Sequence, residues 1–429
     1  MGNDAQALPD TAPAVVIGAG PAGLAMAAEL GRIGIRALVI DKADQVGSSW
    51  AHHYDRLHLH TTRRLSSLPG AAIPRAAGRW VARDAFRAYL LDYSVQQGLD
   101  VRLGTSVTSV DRLADGLWRV GCGAESVVTP LVVVATGYNH TPKLPDWPGR
   151  ETFTGRTLHS SEYRNPAAID GQSVLVVGPG NSGAEIAADL AGAGKQVWLS
   201  VRTPPNIVRR QVLGVASQVL VLSVSPFPTR VGDRISGLLQ KVTVGDLSGF
   251  GLPAAPRGVF TQQERDDVTP TIDVGLIDAV RAGRVTVVPS VETIDGPAVT
   301  LANGEVLRPD AVVVATGFGR GLEPLFGHLG VVTPGGRPSI NADEQAPGLG
   351  GLYFLGYSNP LTGNIRQVGI DARAIARRVG KRDTAAPRVV RAAVPRAAVA
   401  YRLLQRRGYR IVLQRTDDTV AAASVPPAS

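Results

Sequence analysis

A β-branched run leads into three spaced glycines in the stretch Val174-Leu-Val-Val-Gly-Pro-Gly-Asn-Ser-Gly183. The run predicts a buried strand, and the glycines predict a tight turn that opens a helix over Ala184–Ala193. This order places backbone N–H groups at a helix N-terminus, where a dinucleotide pyrophosphate binds. We therefore predict a nucleotide site at Gly178, Gly180 and Gly183.

A second copy of this pattern lies near the start of the chain. Ala14–Ile17 predicts a buried strand, and Gly18, Gly20 and Gly23 follow it. The next predicted strand ends at Asp41, about 20 residues past the glycines, where an acidic side chain binds a ribose hydroxyl. Because this turn and this acid suit a pyrophosphate and an adenosine ribose, we predict FAD at the first site.

The second site has no acid where the first has Asp41. Its second predicted strand ends in Ser200-Val201-Arg202. A hydroxyl and a cation at this place suit the 2′-phosphate of NADPH, so we predict that Ser200 and Arg202 make this site prefer NADPH over NADH. An ordinary surface arginine at position 202 is the alternative.

A further repeat indicates two similar halves. Leu131-Val-Val-Val-Ala-Thr-Gly-Tyr138 recurs almost letter for letter as Ala311-Val-Val-Val-Ala-Thr-Gly-Phe318. Repetition at this scale indicates two related folding units. The predicted fold class is therefore α/β, with two Rossmann-like dinucleotide-binding domains and the NADPH domain inserted in the FAD domain.

The domain boundaries follow from this order, because the chain must return to the first domain after the second. A strand at 351–356 and a helix over 365–379 are expected to complete the first domain. The predicted bounds are 14–150 and 318–380 for the FAD-binding domain, 160–317 for the NADPH-binding domain and 381–429 for a basic C-terminal tail.

Composition and charge limit the possible functions. The 429 residues exceed one ordinary core, and the formal charge of +9 is spread without a basic block, so no nucleic-acid partner is expected. Cys122 is the only cysteine, which suits a reducing cytoplasm and excludes a redox-active cysteine pair within the chain. No secretory leader is expected. The apolar run 212–224 is too short to span a membrane and predicts a buried helix or the lip of a substrate tunnel.

Four residues before the second glycine turn match a family motif. Phe153, Gly155, His159 and Tyr163 have the spacing F-x-G-x-x-x-H-x-x-x-Y of the class B flavin monooxygenases, which this chain resembles. Within that family, the small bacterial and plant YUCCA-type members are the most similar. The other matching stretches are Tyr54–Pro69, Thr269–Gly275 and the pair Asn181-Ser182.

The resemblance implies an FAD monooxygenase that uses NADPH and O2. In that family the reduced flavin captures O2 as a C4a-hydroperoxide, which oxygenates a small organic substrate. The reactions implied are oxidation of a heteroatom or, as in YUCCA-type members, oxidative decarboxylation of a 2-oxo acid. Because water would release the oxygen as H2O2, the site is expected to be closed and largely dry.

The resemblance also assigns residues to the flavin. His60 stands where many relatives carry an asparagine, and it is the predicted catalytic residue beside the reactive edge. The loop Gly47-Ser48-Ser49-Trp50 departs from the family's Gly-Gly-x-Trp at its second position. From its position within the repeat, before the last predicted helix, the turn 358–364 is expected to cover the far end of the flavin. The cofactor-binding residues predicted besides both sets of glycines are Ser49, Trp50, Arg56, Thr61, Thr136, Asn181, Ser182 and Asn359.

Several alternatives stay open at this point. The cluster His52, His53, His58 and His60 suggests a metal, but no cysteine or carboxylate pattern accompanies it and no metal is predicted. One alternative function is an NADPH-dependent reductase that passes electrons to a separate acceptor, and another is a flavin-binding sensor without turnover. His159 is expected to shape the domain junction rather than to carry protons. A homodimer is left open.

Overall fold

A computed structural model describes residues 7–383 and strands at 389–390, 410–416 and 419–425. The chain divides into two compact units, residues 1–373 and 374–429. Both glycine turns and both Ala-Thr-Gly stretches lie in the first unit. Most of the predicted basic tail lies outside the described residues.

The helices and strands follow the order that the glycine turns predict. The helices in the described residues are α1 (Pro21–Arg32), α2 (Ser48–Ala51), α3 (Arg83–Gln96), α4 (Asn181–Gly192), α5 (Ser217–Val224), α6 (Thr229–Thr243), α7 (Val259–Asp266), α8 (Leu276–Arg281), α9 (Glu323–Phe326) and α10 (Asn364–Asp383). The strands are β1 (Ala14–Ile17), β2 (Ala37–Ile40), β3 (Asp100–Arg102), β4 (Ser109–Arg112), β5 (Trp118–Cys122), β6 (Glu125–Thr129), β7 (Val132–Val134), β8 (Thr141–Pro142), β9 (Arg156–His159), β10 (Ser173–Val177), β11 (Gln196–Ser200), β12 (Ile207–Arg209), β13 (Gln211–Val212), β14 (Val215–Ala216), β15 (Thr271–Asp273), β16 (Val285–Val288), β17 (Val291–Asp295), β18 (Ala298–Leu301), β19 (Val306–Leu307), β20 (Ala311–Val314), β21 (Phe318–Gly319), β22 (Leu352–Phe354), β23 (Val389–Val390), β24 (Arg410–Thr416) and β25 (Thr419–Val425).

Five parallel strands form the first sheet, in the order β22-β7-β1-β2-β3. The central strand β1 pairs with β2 on one side and with β7, the first Ala-Thr-Gly strand, on the other. Every residue of β1, β2, β7 and β22 is buried, which explains why they read as continuous apolar runs rather than alternating patterns. As predicted, a strand within 351–356 returns the chain to this sheet beside β7.

The second sheet repeats the first, in the order β16-β11-β10-β20-β9. The glycine-turn strand β10 again lies between its successor β11 and the Ala-Thr-Gly strand β20. The outer position beside β20 is taken by β9, which precedes the glycine turn in the chain. The first strand of the second sheet along the chain is therefore β9, which begins at Arg156 within the family motif, whereas the NADPH-binding domain is predicted over 160–317.

The repeat extends to smaller elements. A three-stranded antiparallel sheet, β4-β5-β6 in the first half and β17-β18-β19 in the second, precedes each Ala-Thr-Gly strand. The helices after the glycine turns, α1 and α4, both end before a left-handed glycine, Gly34 or Gly194, each at φ +83°. All strands of the second sheet lie between β7 and β22 along the chain. The predicted α/β fold of two Rossmann-like units, one inserted in the other, is confirmed.

A helical insertion follows β11 and carries α5, α6 and α7. Of α5 only Gln218 is buried, of α6 only Gly232, and of α7 only Val259. The run 212–224 is thus not a core helix, one of the two structures predicted for it. No helix in the described part of the chain has the length and apolar character that crossing a bilayer requires.

Candidate active site

The first glycine turn, between β1 and α1, needs glycine for two different reasons. Gly18 lies at φ +113°, and a Cβ there would come within 2.3 Å of the Ala135 carbonyl oxygen. A Cβ at Gly23 would lie 1.8 Å from the carbonyl oxygen of Gly18. At Gly20, by contrast, a Cβ would meet no protein atom within 4 Å. Gly18 and Gly23 therefore close the turn, while Gly20 leaves space at the N-terminus of α1 for a phosphate.

The second glycine turn, between β10 and α4, has the same geometry. Gly178 lies at φ +107°, and a Cβ there would come within 2.6 Å of the Ala315 carbonyl oxygen. A Cβ at Gly183 would lie 1.9 Å from the carbonyl oxygen of Gly178, whereas one at Gly180 would meet nothing within 4 Å. Each turn thus offers one open cradle of the kind that a pyrophosphate fills.

Two stretches that carry the family resemblance meet at the second turn. The side-chain oxygen of Asn181 accepts a hydrogen bond from the N–H of Ile272 at 2.7 Å. The Thr271 hydroxyl donates to the carbonyl oxygen of Pro179 at 2.7 Å. The segment Thr269–Gly275 therefore packs against the glycine turn and supports it. The side-chain oxygen of Asn181 is used in this contact.

Asp41 is held at the first glycine turn, as the spacing predicts. Its Oδ2 accepts from the N–H of Ala19 at 2.6 Å, and its Oδ1 accepts from the N–H of Ala43 at 2.9 Å. Each carboxylate oxygen has a second lone pair with which to accept from a ribose hydroxyl. The half-buried acid is thus oriented by the backbone before any nucleotide binds.

The two residues predicted to contact a 2′-phosphate differ in exposure. Ser200 is 2% exposed, and its hydroxyl donates to the Pro289 carbonyl oxygen at 2.9 Å. Because that hydroxyl is already engaged inside the fold, the contacts of Ser200 do not support a role at the phosphate. Arg202 is exposed and forms no hydrogen bond or ion pair with residues 7–383. Arg202 is therefore the residue available to a 2′-phosphate.

Two residues of the family motif, His159 and Gly155, make contacts within the second half. The Nε2 of His159 lies 3.2 Å from the Gly317 carbonyl oxygen, and its ring meets that of Phe318 edge-on at 4.8 Å. Burial lowers the pKa of His159, so the imidazole is neutral at neutral pH. A Cβ at Gly155 would lie 2.4 Å from the Asp310 carbonyl oxygen. These contacts join β9 to the second Ala-Thr-Gly turn and agree with a shaping role for His159.

Tyr163, the last residue of the motif, belongs to a link between the halves. Its hydroxyl donates to Oδ2 of Asp189 on α4 at 2.8 Å, and Nη1 of Arg56 lies 3.4 Å from Oδ1 of the same carboxylate. Arg56 Nη2 also lies 3.4 Å from the Val274 carbonyl oxygen. The structure thus places the Arg56 guanidinium on α4 and not at the first glycine turn, so these contacts do not support its predicted cofactor-binding role.

The predicted catalytic residue His60 is also anchored on α4. Its Nε2 hydrogen bonds with Oε1 of Glu185, which is 3% exposed. The Tyr54 hydroxyl donates to the same carboxylate, and burial together with the charge of Glu185 raises the pKa of Tyr54 well above its usual value. Sequence reasoning missed Glu185 and Asp189. Their spacing of four residues on an otherwise uncharged helix, which puts both on one face, was the available signal.

A cavity of about 400 Å³ lies where these elements meet. It is bounded by the loop that carries His60, by the second glycine turn and by the insertion helices α5, α6 and α7. Residues from 212–224 contribute to its wall, which supports the alternative prediction that this run forms the lip of a tunnel. The structure brings six predicted site residues to the cavity wall: Trp50, His60, Thr61, Asn181, Ser182 and Asn359.

Two predicted cofactor residues lie elsewhere. Ser49 is exposed on α2 and is absent from the described cavity wall. Thr136, in the first Ala-Thr-Gly turn, exchanges a hydrogen bond with the buried Tyr357 hydroxyl at 2.7 Å. Burial raises the pKa of Tyr357 to about 12, so this pair stays uncharged.

Gln218, which the sequence did not indicate as a site residue, hydrogen bonds with two segments that were predicted to face the flavin. Gln218, 5% exposed, accepts from the N–H of Thr62 at 3.1 Å and donates to the Thr362 carbonyl oxygen. A Cβ at Gly363 would lie 2.8 Å from the Gln218 amide nitrogen. The insertion therefore positions both the loop after His60 and the turn 358–364.

The four histidines near the cavity do not converge on one point. His52 and His58 each hydrogen bond with a backbone carbonyl oxygen at 2.8 Å, whereas His60 turns to Glu185. Burial, aided by nearby arginines, lowers the pKa of His53 to about 4. Within the described residues, no group of three or more His, Cys, Asp or Glu side chains is placed to hold a metal ion.

Comparison with known proteins identifies the family. Residues 15–214 match the family model described as pyridine nucleotide-disulphide oxidoreductase. The indole-3-pyruvate monooxygenase YUCCA1 of rice, Oryza sativa subsp. japonica, is 32% identical over 350 residues, which cover 80% of this chain and 86% of that protein. The chain belongs to the class B flavin monooxygenases. The probable indole-3-pyruvate monooxygenase YUCCA8 of Arabidopsis thaliana is 31% identical over 85% of this chain and 88% of its own length.

A solved structure agrees with this assignment. The flavin-containing monooxygenase from Stenotrophomonas maltophilia matches 87% of this chain and 100% of its own, with 26% identity and a TM-score of 0.69. The family that the motif residues predicted is therefore confirmed. This flavin monooxygenase is an FAD-dependent oxidoreductase. Its first glycine turn fits that cofactor on its own geometry, since Gly20 leaves a cradle open and Asp41 supplies oriented acceptors.

Proposed function

We propose that this flavin monooxygenase binds FAD at the first glycine turn and NADPH at the second, and transfers one oxygen atom of O2 to a small organic substrate in the cavity. The observation that carries the proposal is the pair of open glycine turns together with a cavity that residues of both halves line. Bound FAD supplies hydride acceptance and activation of O2. The chain's residues bind, orient and exclude water.

The preference for NADPH is supported by the end of β11. No acid stands there to accept from a 2′-hydroxyl, and the exposed Arg202 has no partner among residues 7–383. A guanidinium can donate two parallel hydrogen bonds to a phosphate, which NADH lacks at this position. We assign Arg202 to the 2′-phosphate on this basis.

A hydrogen bond of the predicted catalytic residue, His60, connects the two halves. His60 belongs to the first half, yet Glu185 on α4 holds its Nε2. Because α4 begins at the second glycine turn, the helix that receives NADPH also orients His60. With Nε2 engaged, Nδ1 is the ring nitrogen left to hold or accept a proton at the reacting edge.

The substrate is proposed from the cavity and from the names of the relatives. A mostly apolar space of about 400 Å³ is within the range that binds small organic ligands. The YUCCA proteins of rice and Arabidopsis are named for indole-3-pyruvate. We place an aromatic 2-oxo acid ahead of a thioether or an amine as the substrate of this enzyme.

Isotope transfer tests this function against its alternatives. Purified protein is given NADPH, phenylpyruvate and ¹⁸O2. The carboxyl group of phenylpyruvate is expected to leave as CO2, and the product, phenylacetate, carries one labelled oxygen atom while the other leaves as water. NADPH oxidation that needs an artificial acceptor and leaves no label in a product would establish a reductase instead. A protein that oxidises no NADPH under either condition would be a flavin-binding sensor.

The role of His60 needs a separate variant. His60→Ala should raise the fraction of NADPH electrons released as H2O2 and leave the anaerobic rate of flavin reduction nearly unchanged. His58→Ala is a matched control, because His58 also lines the cavity but hydrogen bonds with a backbone carbonyl oxygen. If His60→Ala slows flavin reduction and leaves the H2O2 fraction unchanged, His60 serves hydride transfer.

A further inference from the structure

A guanidinium in the cavity wall has no hydrogen-bonding partner. The guanidinium carbon of Arg210 lies over the Trp80 ring, 4.7 Å from the ring centroid. The side chain of Arg210 forms no hydrogen bond or ion pair with any residue of 7–383. The neighbouring Arg209 also lines the cavity, but it is bound to Asp273 at 2.6 Å and to Asp278 at 3.3 Å. Of these two arginines, only Arg210 is available to a ligand.

The charges around Arg210 leave this cation uncompensated. Among the described residues of the cavity wall there is no aspartate or glutamate. Glu185 attracts Arg210 from a distance, but its carboxylate already accepts from His60 and Tyr54. An arginine stays protonated even when partly desolvated, and a partly buried cation without a counterion favours an anionic ligand.

We propose that Arg210 binds the carboxylate of the substrate, which makes an apolar carboxylic acid the substrate class of the cavity. The inference rests on the proposed monooxygenase function. The contact with Trp80 helps to hold the guanidinium in place, and a guanidinium can donate two parallel hydrogen bonds to a carboxylate. Apolar side chains of α5 and α6, including Leu220, Val221 and Leu239, line the space for the rest of the molecule.

A nucleotide phosphate is the other possible source of the anion. Asn181 and Ser182 of the second glycine turn line the same cavity, so NADPH also approaches it. The two sources predict different losses when the Arg210 charge is removed. A carboxylate site loses affinity for the acid alone, and a phosphate site loses affinity for the nucleotide.

Calorimetric binding without turnover separates these cases. Wild-type protein and Arg210→Gln are titrated with phenylpyruvate, with phenylacetone, which replaces the carboxylate by a methyl group, and with NADP⁺. We expect the Kd of phenylpyruvate to rise about 10- to 100-fold, because hydrogen bonds to a charged group contribute about 1.5–3 kcal/mol. The Kd values of phenylacetone and NADP⁺ should stay within about twofold of wild type. Arg210→Lys, which keeps the charge without the planar fork, should fall between.

Arg79→Gln is the matched control. The guanidinium carbon of Arg79 also lies over the Trp80 ring, 5.2 Å from its centroid, but Arg79 is exposed and hydrogen bonds with Gln211. Its loss should leave phenylpyruvate binding unchanged. The proposal is overturned if wild type does not bind phenylpyruvate, if Arg79→Gln weakens it equally, or if Arg210→Gln weakens phenylacetone or NADP⁺ as much. Should Arg210→Gln fail to fold, the same comparison is made with Arg210→Lys. Selective loss of acid binding without isotope transfer would leave this site standing and refute the monooxygenase function alone.

Discussion

The two glycine turns of this enzyme share a backbone and differ at the end of the strand that follows. Gly18 and Gly178 have φ values of +113° and +107°, and the middle glycine of each turn leaves open space. β2 is followed by Asp41, held at its turn by two backbone N–H groups, whereas the segment after β11 carries the exposed Arg202. The shared turn geometry therefore suits the pyrophosphate, which both nucleotides contain. The residue beyond the second strand suits the ribose group that differs between them, a free hydroxyl in one case and a 2′-phosphate in the other.

The largest expected effect is the loss of FAD when a side chain fills the open space at the first glycine turn. Gly20→Val should abolish FAD binding, because the side chain would occupy the space left for the pyrophosphate. The backbone of Gly20 is extended, at φ −82° and ψ −176°, so valine fits there without strain. Flavin absorbance per protein, with circular dichroism to confirm folding, measures the outcome.

Gly180→Val is the matched variant in the other half. Its backbone is also extended, at φ −67° and ψ 179°. This protein should keep its flavin and lose reduction by NADPH. The comparison of the turns breaks down if Gly20→Val retains full flavin or if Gly180→Val is isolated without it.

The junction between the halves gives the next effect, which depends on pH. The folded pKa of His53 is about 4, below the ordinary 6.5, so the unfolded chain takes up a proton first as pH falls. This contribution to stability is complete above pH 6.5 and is lost as pH falls toward 4, by on the order of 3 kcal/mol. His53→Gln should reduce that loss in urea unfolding at pH 7 and pH 4.5. The exposed His52→Gln is the control, and an unchanged pH slope in His53→Gln would contradict the assignment.

Nucleotide choice should change by a smaller amount. Arg202→Ala should raise the KM for NADPH roughly ten- to hundredfold at fixed salt, because charge-assisted hydrogen bonds to the 2′-phosphate are lost. The KM for NADH should barely move. Ser200→Ala should affect both nucleotides equally, since Ser200 is buried and donates to Pro289. Equal losses with NADH and NADPH in Arg202→Ala would show that Arg202 supports the site without contacting the phosphate.

The smallest expected effect concerns the link between the halves. Tyr163→Phe removes one hydrogen bond to Asp189, which keeps the Arg56 guanidinium as a partner. The free energy of unfolding should fall by about 1 kcal/mol, the usual net value of one hydrogen bond. Urea unfolding measures it, and a destabilisation several times larger would mean that Tyr163 holds the halves together through packing instead.

Most of the fold could be predicted because its signals are local. The strand, the glycines and the helix of each turn are consecutive in sequence, and the Ala-Thr-Gly repeat marks a third strand in each half. The place of β9 in the second sheet was not predicted, because β9 precedes the glycine turn in the chain. A strand that pairs with β20 cannot be assigned to a sheet from its own four residues.

The sequence could indicate residues that lie near the cavity, but it could not show contacts between residues distant in the chain. Trp50, His60 and Asn359, which were predicted to lie at the flavin, all line one cavity. Glu185 lies 125 residues from His60 in sequence, and no local pattern pairs them. The burial of Ser200 could not be predicted for a related reason, because a hydroxyl at a strand end faces inward or outward according to neighbours that the sequence does not show.

We propose that one turn geometry serves two different nucleotides, which the residues beyond the second strand of each half select. Anaerobic mixing of the purified protein with NADPH or NADH, followed by flavin absorbance, tests it most directly. We expect a yellow protein whose flavin is reduced faster by NADPH than by NADH, at equal subsaturating concentration, with a preference that shrinks in Arg202→Ala. A protein isolated without flavin, or one reduced equally fast by both nucleotides, would contradict it.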